Sequence, residues 1–252
     1  MITLYDTGPS KFPNHLGCGP HVRKIIFALN YKKLPFKLVD LPFGSIESTA
    51  RLLGAPPTGT FSTTGLPKYT VPFMHDSDKN EAISDSFVIA EYLDAAYPET
   101  PRLFAEKGSN TGVVKALTDA REEAVMMLMF PVLMPKIAEL YPDELKAVFA
   151  SRGVNLKDTA TSISEEEKRG LWVKAKKAFE EVETKFGDAA NCIYADFALA
   201  GMAWHIRCAF GEESKEWKEL SSWAGGIMVK VTDAAVQYES HILSASPQPL
   251  TA

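Results

Sequence analysis

The sequence predicts a two-part chain, an α/β unit followed by an all-α helical bundle, and three observations carry that expectation. Over residues 1–97, short apolar runs alternate with segments of helical period in the order β-α-β-α-β-β-α. The segment "PETPRLF", with prolines at 98 and 101, then breaks both patterns, so residues 98–105 read as a linker. From 106 to 252 the pattern is helical, with almost no strand signal.

Each element has its own warrant. "MITLYDT" reads as a short strand, and "PHVRKIIFALNYK" places Val22, Ile25, Ile26 and Leu29 on one helical face. "LPFKLVDLPF" is a second strand, and "SIESTARLLGA" a short helix opened by Ser45 and ended near Gly54. In "YTVPFMHDSDKNEAIS" two apolar runs flank a polar turn, the mark of an antiparallel hairpin. "SDSFVIAEYLDAAYP" aligns Phe87, Ile89, Ala90 and Leu93 on a helix that Pro98 stops. The first half of this unit therefore supplies parallel strands through helical crossovers, the second half a hairpin.

In the second part, helices are expected in "VVKALTDAREEAVMMLMFPVLMPKIAEL", "SEEEKRGLWVKAKKAFEEVETKF", "YADFALAGMAWHIRCAF" and "IMVKVTDAAVQYESHIL". The less regular "YPDELKAVFASRGVNLKDTATSI" reads as a loop lying over a cleft.

Composition narrows the function. With 46% hydrophobic and 23% charged residues the chain has the make-up of a globular protein with a buried core. A net charge of -5 leaves no basic footprint for nucleic acid. No run approaches the roughly 18 apolar residues of a spanning helix, and no leader pattern opens the chain, so neither a membrane nor export is expected. Cys18, Cys192 and Cys208 lack metal-ligand spacing, which argues against a disulfide framework and a metal site. A reducing cytoplasm is the expected location.

Four local features then stand out: "YTVPF", "ISDSFVIAEYLDAAYP", "YADFALAG", and the set "ALNYK", "LLGAPPTG" and "YPETPRLF". In this order, on this element plan, they resemble the glutathione S-transferase family, and the last set is similar to its fungal FuA class, relatives of bacterial β-etherases. The resemblance implies a thioredoxin-like glutathione-binding domain over 1–97 and an all-α domain over 106–252 that offers a hydrophobic substrate pocket. It implies a cis bond between Val71 and Pro72, with the Val71 backbone pairing with the cysteinyl part of glutathione. Asp85 would take the ligand's ammonium group, and Ser86 with the amides of its helix start a carboxylate. Asp196 would serve a local cap in the second domain. The expected partners are glutathione as co-substrate and hydrophobic small molecules, with no metal, and a homodimer is expected.

The stretch "NHLGCGPHVRK" departs from the family pattern. Etherase-like members carry a Ser-Pro step at the first helix, and that serine falls on Gly19. In one register Cys18, two residues before Pro20, is a nucleophile whose thiol is acidified by the helix start and by His21 or Arg23. It would then exchange disulfides with glutathione. In the other, Gly19 stands in the serine's place and only backbone amides and the helix dipole hold the glutathione thiolate. Conjugation, thiol transfer by Cys18, and ligandin-like binding without strong catalysis all remain open here. In this fold the first helix of the second domain faces both the substrate pocket and a partner subunit. Met126, Met127, Phe130 and Met134 are therefore candidates for either, and His21 is either solvated or a ligand contact. Cys192 and Cys208 read as core.

Overall fold

A computed structural model describes residues 1–8, 19–61, 64–104, 111–140, 143, 147, 163–186, 192–239 and 243–244 of the chain. The strand β1 (Ile2–Thr7) is buried along nearly its whole length, because strands flank it on both edges and helices cover its faces. It pairs in parallel with β2 (Phe36–Leu41), Ile2 opposite Phe36 through Thr7 opposite Leu41. On its other edge it pairs antiparallel with β5 (Phe73–Asp76), which turns through residues 77–80 into β6 (Glu81–Ser84). The parallel pair comes first and the hairpin second, as the sequence order required.

Two strand pairings were not legible in the sequence. A two-residue ribbon joins β3 (Gly59–Thr60) to β4 (Pro67–Lys68), and β7 (Leu243–Ser244), from the far end of the chain, extends the sheet in parallel beyond β2. The main sheet has the order β6-β5-β1-β2-β7. Strands of two residues are too short for alternation to register, so the second part is not wholly free of strand as expected.

The helix α1 (Pro20–Tyr31) follows β1, with Pro20 at its first position, where no intrahelical N–H is required. Its predicted stripe of Val22, Ile25, Ile26 and Leu29 is fully buried. Arg23, Lys24 and Asn30 on its other faces are buried too. A short 3-10 turn precedes α2 (Ile46–Leu52), and Ser45 opens it without a side-chain cap bond. The helix α3 (Ser86–Ala96) ends just before Pro98.

The second part is helical. The first long segment is broken: α4 (Thr111–Glu122) passes through a π turn (Glu123–Met127) into α5 (Phe130–Leu140). Pro131 has no N–H to offer the Met127 carbonyl, and its ring crowds that carbonyl, so an unbroken α-helix cannot run through this point. There follow α6 (Glu165–Phe186), α7 (Ile193–Phe210), α8 (Lys215–Leu220) and α9 (Ile227–Ala235). The last predicted helix is shorter than expected. It stops at Ala235, and a 3-10 turn (Val236–Tyr238) follows. The segment expected to form a loop over a cleft lies almost entirely outside the described residues.

The two parts share one core because α7 packs along α1. Every residue of α7 from Leu199 to Ile206 is buried. Gly201 lies at the crossing: a Cβ there would sit 2.7 Å from the Pro20 carbonyl oxygen. Arg23 of α1 stacks over the Trp204 ring of α7, with its guanidinium carbon 3.2 Å from the ring centroid. Burial lowers the Arg23 guanidinium to about 10, against the pull of Glu239, to which it donates a 2.6 Å bond. The cap of α7 is not where the sequence placed it. Cys192 occupies the N-cap position without a side-chain bond, and Asp196 lies one turn in, its carboxyl raised by burial against the opposing charge of Arg121. Arg121 itself spans α4 and α6 through two bonds to Glu183, of 2.6 and 2.8 Å, and donates to the Ala195 carbonyl.

Candidate functional site

Where the first part meets α4 and α7, a cleft of about 270 Å³ opens. The chain enters it in three places. The loop ahead of β5 presents Val71 and Pro72, joined by a cis peptide bond. The step from β6 to α3 presents Asp85 and Ser86, and the first turns of α1 present Pro20, His21 and Lys24. Val71, Pro72, Asp85 and Ser86, singled out from separate motifs, thus line one cavity.

Asp85 adopts φ 75° and ψ 127°, a backbone conformation rare for a residue with a side chain. Its carboxylate caps its own helix, one oxygen accepting from Phe87 N–H at 2.8 Å and Val88 N–H at 3.3 Å. Ser86 is buried, and it and Tyr194 both line the cleft. Burial holds the Tyr194 phenol far above its ordinary range, so Tyr194 is a neutral wall of the cleft.

Gly19 is the N-cap of α1, buried, with no side-chain cap bond. Its carbonyl accepts from Val22 N–H at 3.2 Å and Arg23 N–H at 3.0 Å. Pro20 has no N–H. Within the first turn, His21 therefore holds the N–H left to meet an anion. Cys18 lies outside the described residues.

The wall contributed by α4 is polar, which the sequence did not suggest. Lys115, Thr118, Asp119 and Glu122 recur at helical spacing along the cleft. Of the four apolar candidates, only Met126 lines this cavity. Met127 is exposed, and Phe130 and Met134 lie half-buried elsewhere on the π turn and α5, because the change of helical phase after Glu122 rotates them away. His21 contacts Glu122 across the cleft, Nε2 to Oε1 at 3.2 Å. Burial alone would raise the Glu122 carboxyl, but the His21 bond and the neighbouring lysines bring it below its ordinary value.

Two residues of the site were missed by the sequence reading. Tyr194 carried no signal beyond the "YADF" motif. Lys24 reads as a solvated charge on an amphipathic helix, yet it is only 8% exposed. Burial lowers its ammonium, opposed by Glu122, Asp85 and Asp119.

Of the cysteines of the second part, Cys192 is buried in the core and Cys208 is half-buried against it. Burial raises the Cys192 thiol and pushes Cys208 up to about 11, which leaves neither as a ready nucleophile. Among the described residues no group of three or more His, Cys, Asp or Glu could hold a metal ion, and no helix is long and apolar enough to cross a membrane.

Comparison with known proteins agrees across the chain. Residues 15–101 match the glutathione S-transferase N-terminal domain family, and residues 113–238 the C-terminal domain family. A glutathione S-transferase of Ceriporiopsis subvermispora, crystallised in complex with glutathione, superposes with a TM-score of 0.81 at 27% identity, covering 98% of this chain and 99% of that one. Glutathione transferase GSTFuA3 of Phanerochaete chrysosporium superposes with a TM-score of 0.81 at 26% identity, over 94% of this chain and 97% of that one. The glutathione S-transferase-like protein ustS of Aspergillus flavus is 30% identical over 131 residues, 51% of this chain and 46% of that protein. The match thus spans about half of that curated relative.

Proposed function

The chain belongs to the glutathione S-transferase family, and from that premise we propose that it binds glutathione in the cleft between its thioredoxin-like and helical parts and transfers it to an electrophile. One observation carries the reading: Val71, the Asp85–Ser86 step and the start of α1 line a single cavity. Val71 aligns the cysteinyl backbone of the peptide. Asp85 and Ser86 meet its γ-glutamyl end. The thiol lies at the start of α1, where the His21 amide and the helix dipole favour the thiolate.

In the transfer step the thiol proton leaves to solvent, the sulfur forms a bond to an electrophilic carbon, and the bond from that carbon to its leaving group breaks. The co-substrate enters beside Met126, and its polar neighbours on α4 suit an aromatic compound bearing polar groups better than a wholly apolar one. A homodimer in the cytoplasm belongs to the same proposal.

Retention on immobilised glutathione, followed by conjugation to an activated aryl halide, tests this reading. Failure to be retained, with the fold intact by circular dichroism, would sink it. A second reading, ligand binding without turnover, is favoured by the bare N-cap at Gly19, which gives the thiolate no hydroxyl. Retention on the column with conjugation no faster than the uncatalysed thiol reaction would select that reading.

A further inference from the structure

The start of α1 itself gives a thiol nothing to take its proton. Gly19 has no side chain, and its carbonyl already accepts from the Val22 and Arg23 amides. The cleft nevertheless holds one pair arranged for proton transfer. His21, the second residue of α1, meets Glu122 at the end of α4, Nε2 to Oε1 at 3.2 Å, and both line the cavity. A carboxylate on one ring nitrogen holds the proton there and leaves the other nitrogen as an acceptor. That acceptor is Nδ1, the ring nitrogen nearer the backbone. Side chains of a helix lean toward its N-terminus, so Nδ1 stands on the side of the His21 amide, where the thiol lies.

The other ionisable groups that face this pair are engaged elsewhere. On α4, Asp119 is paired with Lys115 at 2.7 Å, and Asp85 at the start of α3 caps its own helix. On α7, the Tyr194 phenol is held neutral. Lys24, Lys68 and Lys115 also line the cavity, and Lys24 and Lys115 favour the ionised form of Glu122. The His21 side chain is 40% exposed, which leaves it a path to solvent.

We propose that His21 is the general base of the transfer, with Glu122 positioning it. As glutathione seats, its S–H bond breaks, the electron pair stays on sulfur and the proton goes to Nδ1 of His21. The imidazolium so formed stands between the Glu122 carboxylate and the thiolate. Once the sulfur has bonded to the electrophilic carbon, His21 releases the proton to solvent. This rests on the reading of the cleft as a glutathione site.

The test is an ultraviolet titration of the thiolate of bound glutathione on the full chain. The complex with S-methylglutathione, which has no thiol to ionise, is the blank. In the unmodified protein the thiolate is expected to appear at least about one pH unit below that of free glutathione. His21→Gln keeps the amide but takes no proton. It should return the titration toward the free value and lower kcat for conjugation about 100-fold at neutral pH, a deficit that closes as the free thiol ionises. A deficit equal at every pH marks a structural role only and overturns the assignment. Glu122→Gln decides by sign: losing a nearby negative charge by itself favours the thiolate, whereas losing the partner of the imidazolium disfavours it. A shift to higher pH is expected, and a shift to lower pH, or none, overturns the assignment. So does bound glutathione that ionises no earlier than free glutathione in the unmodified protein, a result that needs no variant to fold. If the unmodified protein does not bind glutathione, the glutathione reading fails first and takes the assignment with it.

Discussion

Lys32 and Asp94 form a buried ion pair of 2.7 Å across 62 residues of sequence, and it fastens the segment that joins the two parts of the fold. Lys32, at the end of α1, also donates to the Pro101 carbonyl at 3.1 Å. Asp94, on α3, accepts from the Leu103 and Phe104 amides. The stretch that composition marks as a linker is therefore held tightly, with Leu103 and Phe104 in the core. Phe104 then packs against Phe87 and Tyr194, so the same knot supports a wall of the cleft.

The two partners should not be equivalent. Asp94→Asn leaves a buried ammonium with no counter-charge, only neutral carbonyl oxygens to meet it, and is expected to cost about 3–5 kcal/mol. Lys32→Met leaves a carboxylate still bonded to two amides and should cost less, about 1.5–3 kcal/mol. Urea midpoints of the two variants give the order directly. A larger loss for Lys32→Met would show that the amides do not hold Asp94.

Gly19 has room for the side chain it lacks. Among the described residues a Cβ there would meet only Val22 Cγ2, at 3.8 Å, and its φ of -91° suits any residue. Gly19→Ser should therefore fold with stability changed by a few tenths of a kcal/mol. Its hydroxyl would add a donor at the thiolate, and kcat for conjugation is expected to rise about tenfold. An unchanged kcat would place the sulfur away from the start of α1.

Buried Asp76, at the end of β5, accepts from the Tyr92 phenol at 2.8 Å and from that of Tyr97. Burial, then the bond to Asp76, pushes both phenols far above their ordinary value. Groups raised in this way give stability that is present below the unfolded phenol value near 10 and lost as pH rises through the folded value. Melting temperatures of the unmodified protein should thus fall above about pH 10, and those of a Tyr92→Phe/Tyr97→Phe double variant should fall less. Parallel curves would mean the phenols titrate alike in both states.

The parts that were legible in the sequence are those where a local pattern decides the outcome. The stripe from Val22 to Leu29 fixed α1, and the polar turn between Asp76 and Glu81 fixed the hairpin. The Val71–Pro72 and Asp85–Ser86 steps were legible through their resemblance to a family pattern. What stayed hidden depends on contacts between distant segments. Lys24 is buried because α7 covers α1, and no periodicity within "PHVRKIIFALNYK" reports that. Met127, Phe130 and Met134 share an apolar run with Met126, yet of the four only Met126 lines the cleft, and the π turn over Glu123–Met127 changes the helical phase within that run.

Gly201 couples the packing of the two parts to the site. It lies on α7 where that helix crosses the first turn of α1, and a methyl group there would approach the Pro20 carbonyl oxygen to 2.7 Å and the Lys24 nitrogen to 3.4 Å. Both are backbone atoms, so neither can rotate aside and the helices must separate. Gly201→Ala is expected to cost about 1–3 kcal/mol, as overpacking does, despite the helix-favouring methyl. The displaced segment carries the His21 amide and the Lys24 side chain, so glutathione affinity should fall in the same variant. Gly201→Ala with lowered stability and unchanged affinity would show that α7 yields rather than α1, and that the start of α1 keeps its place in the cleft.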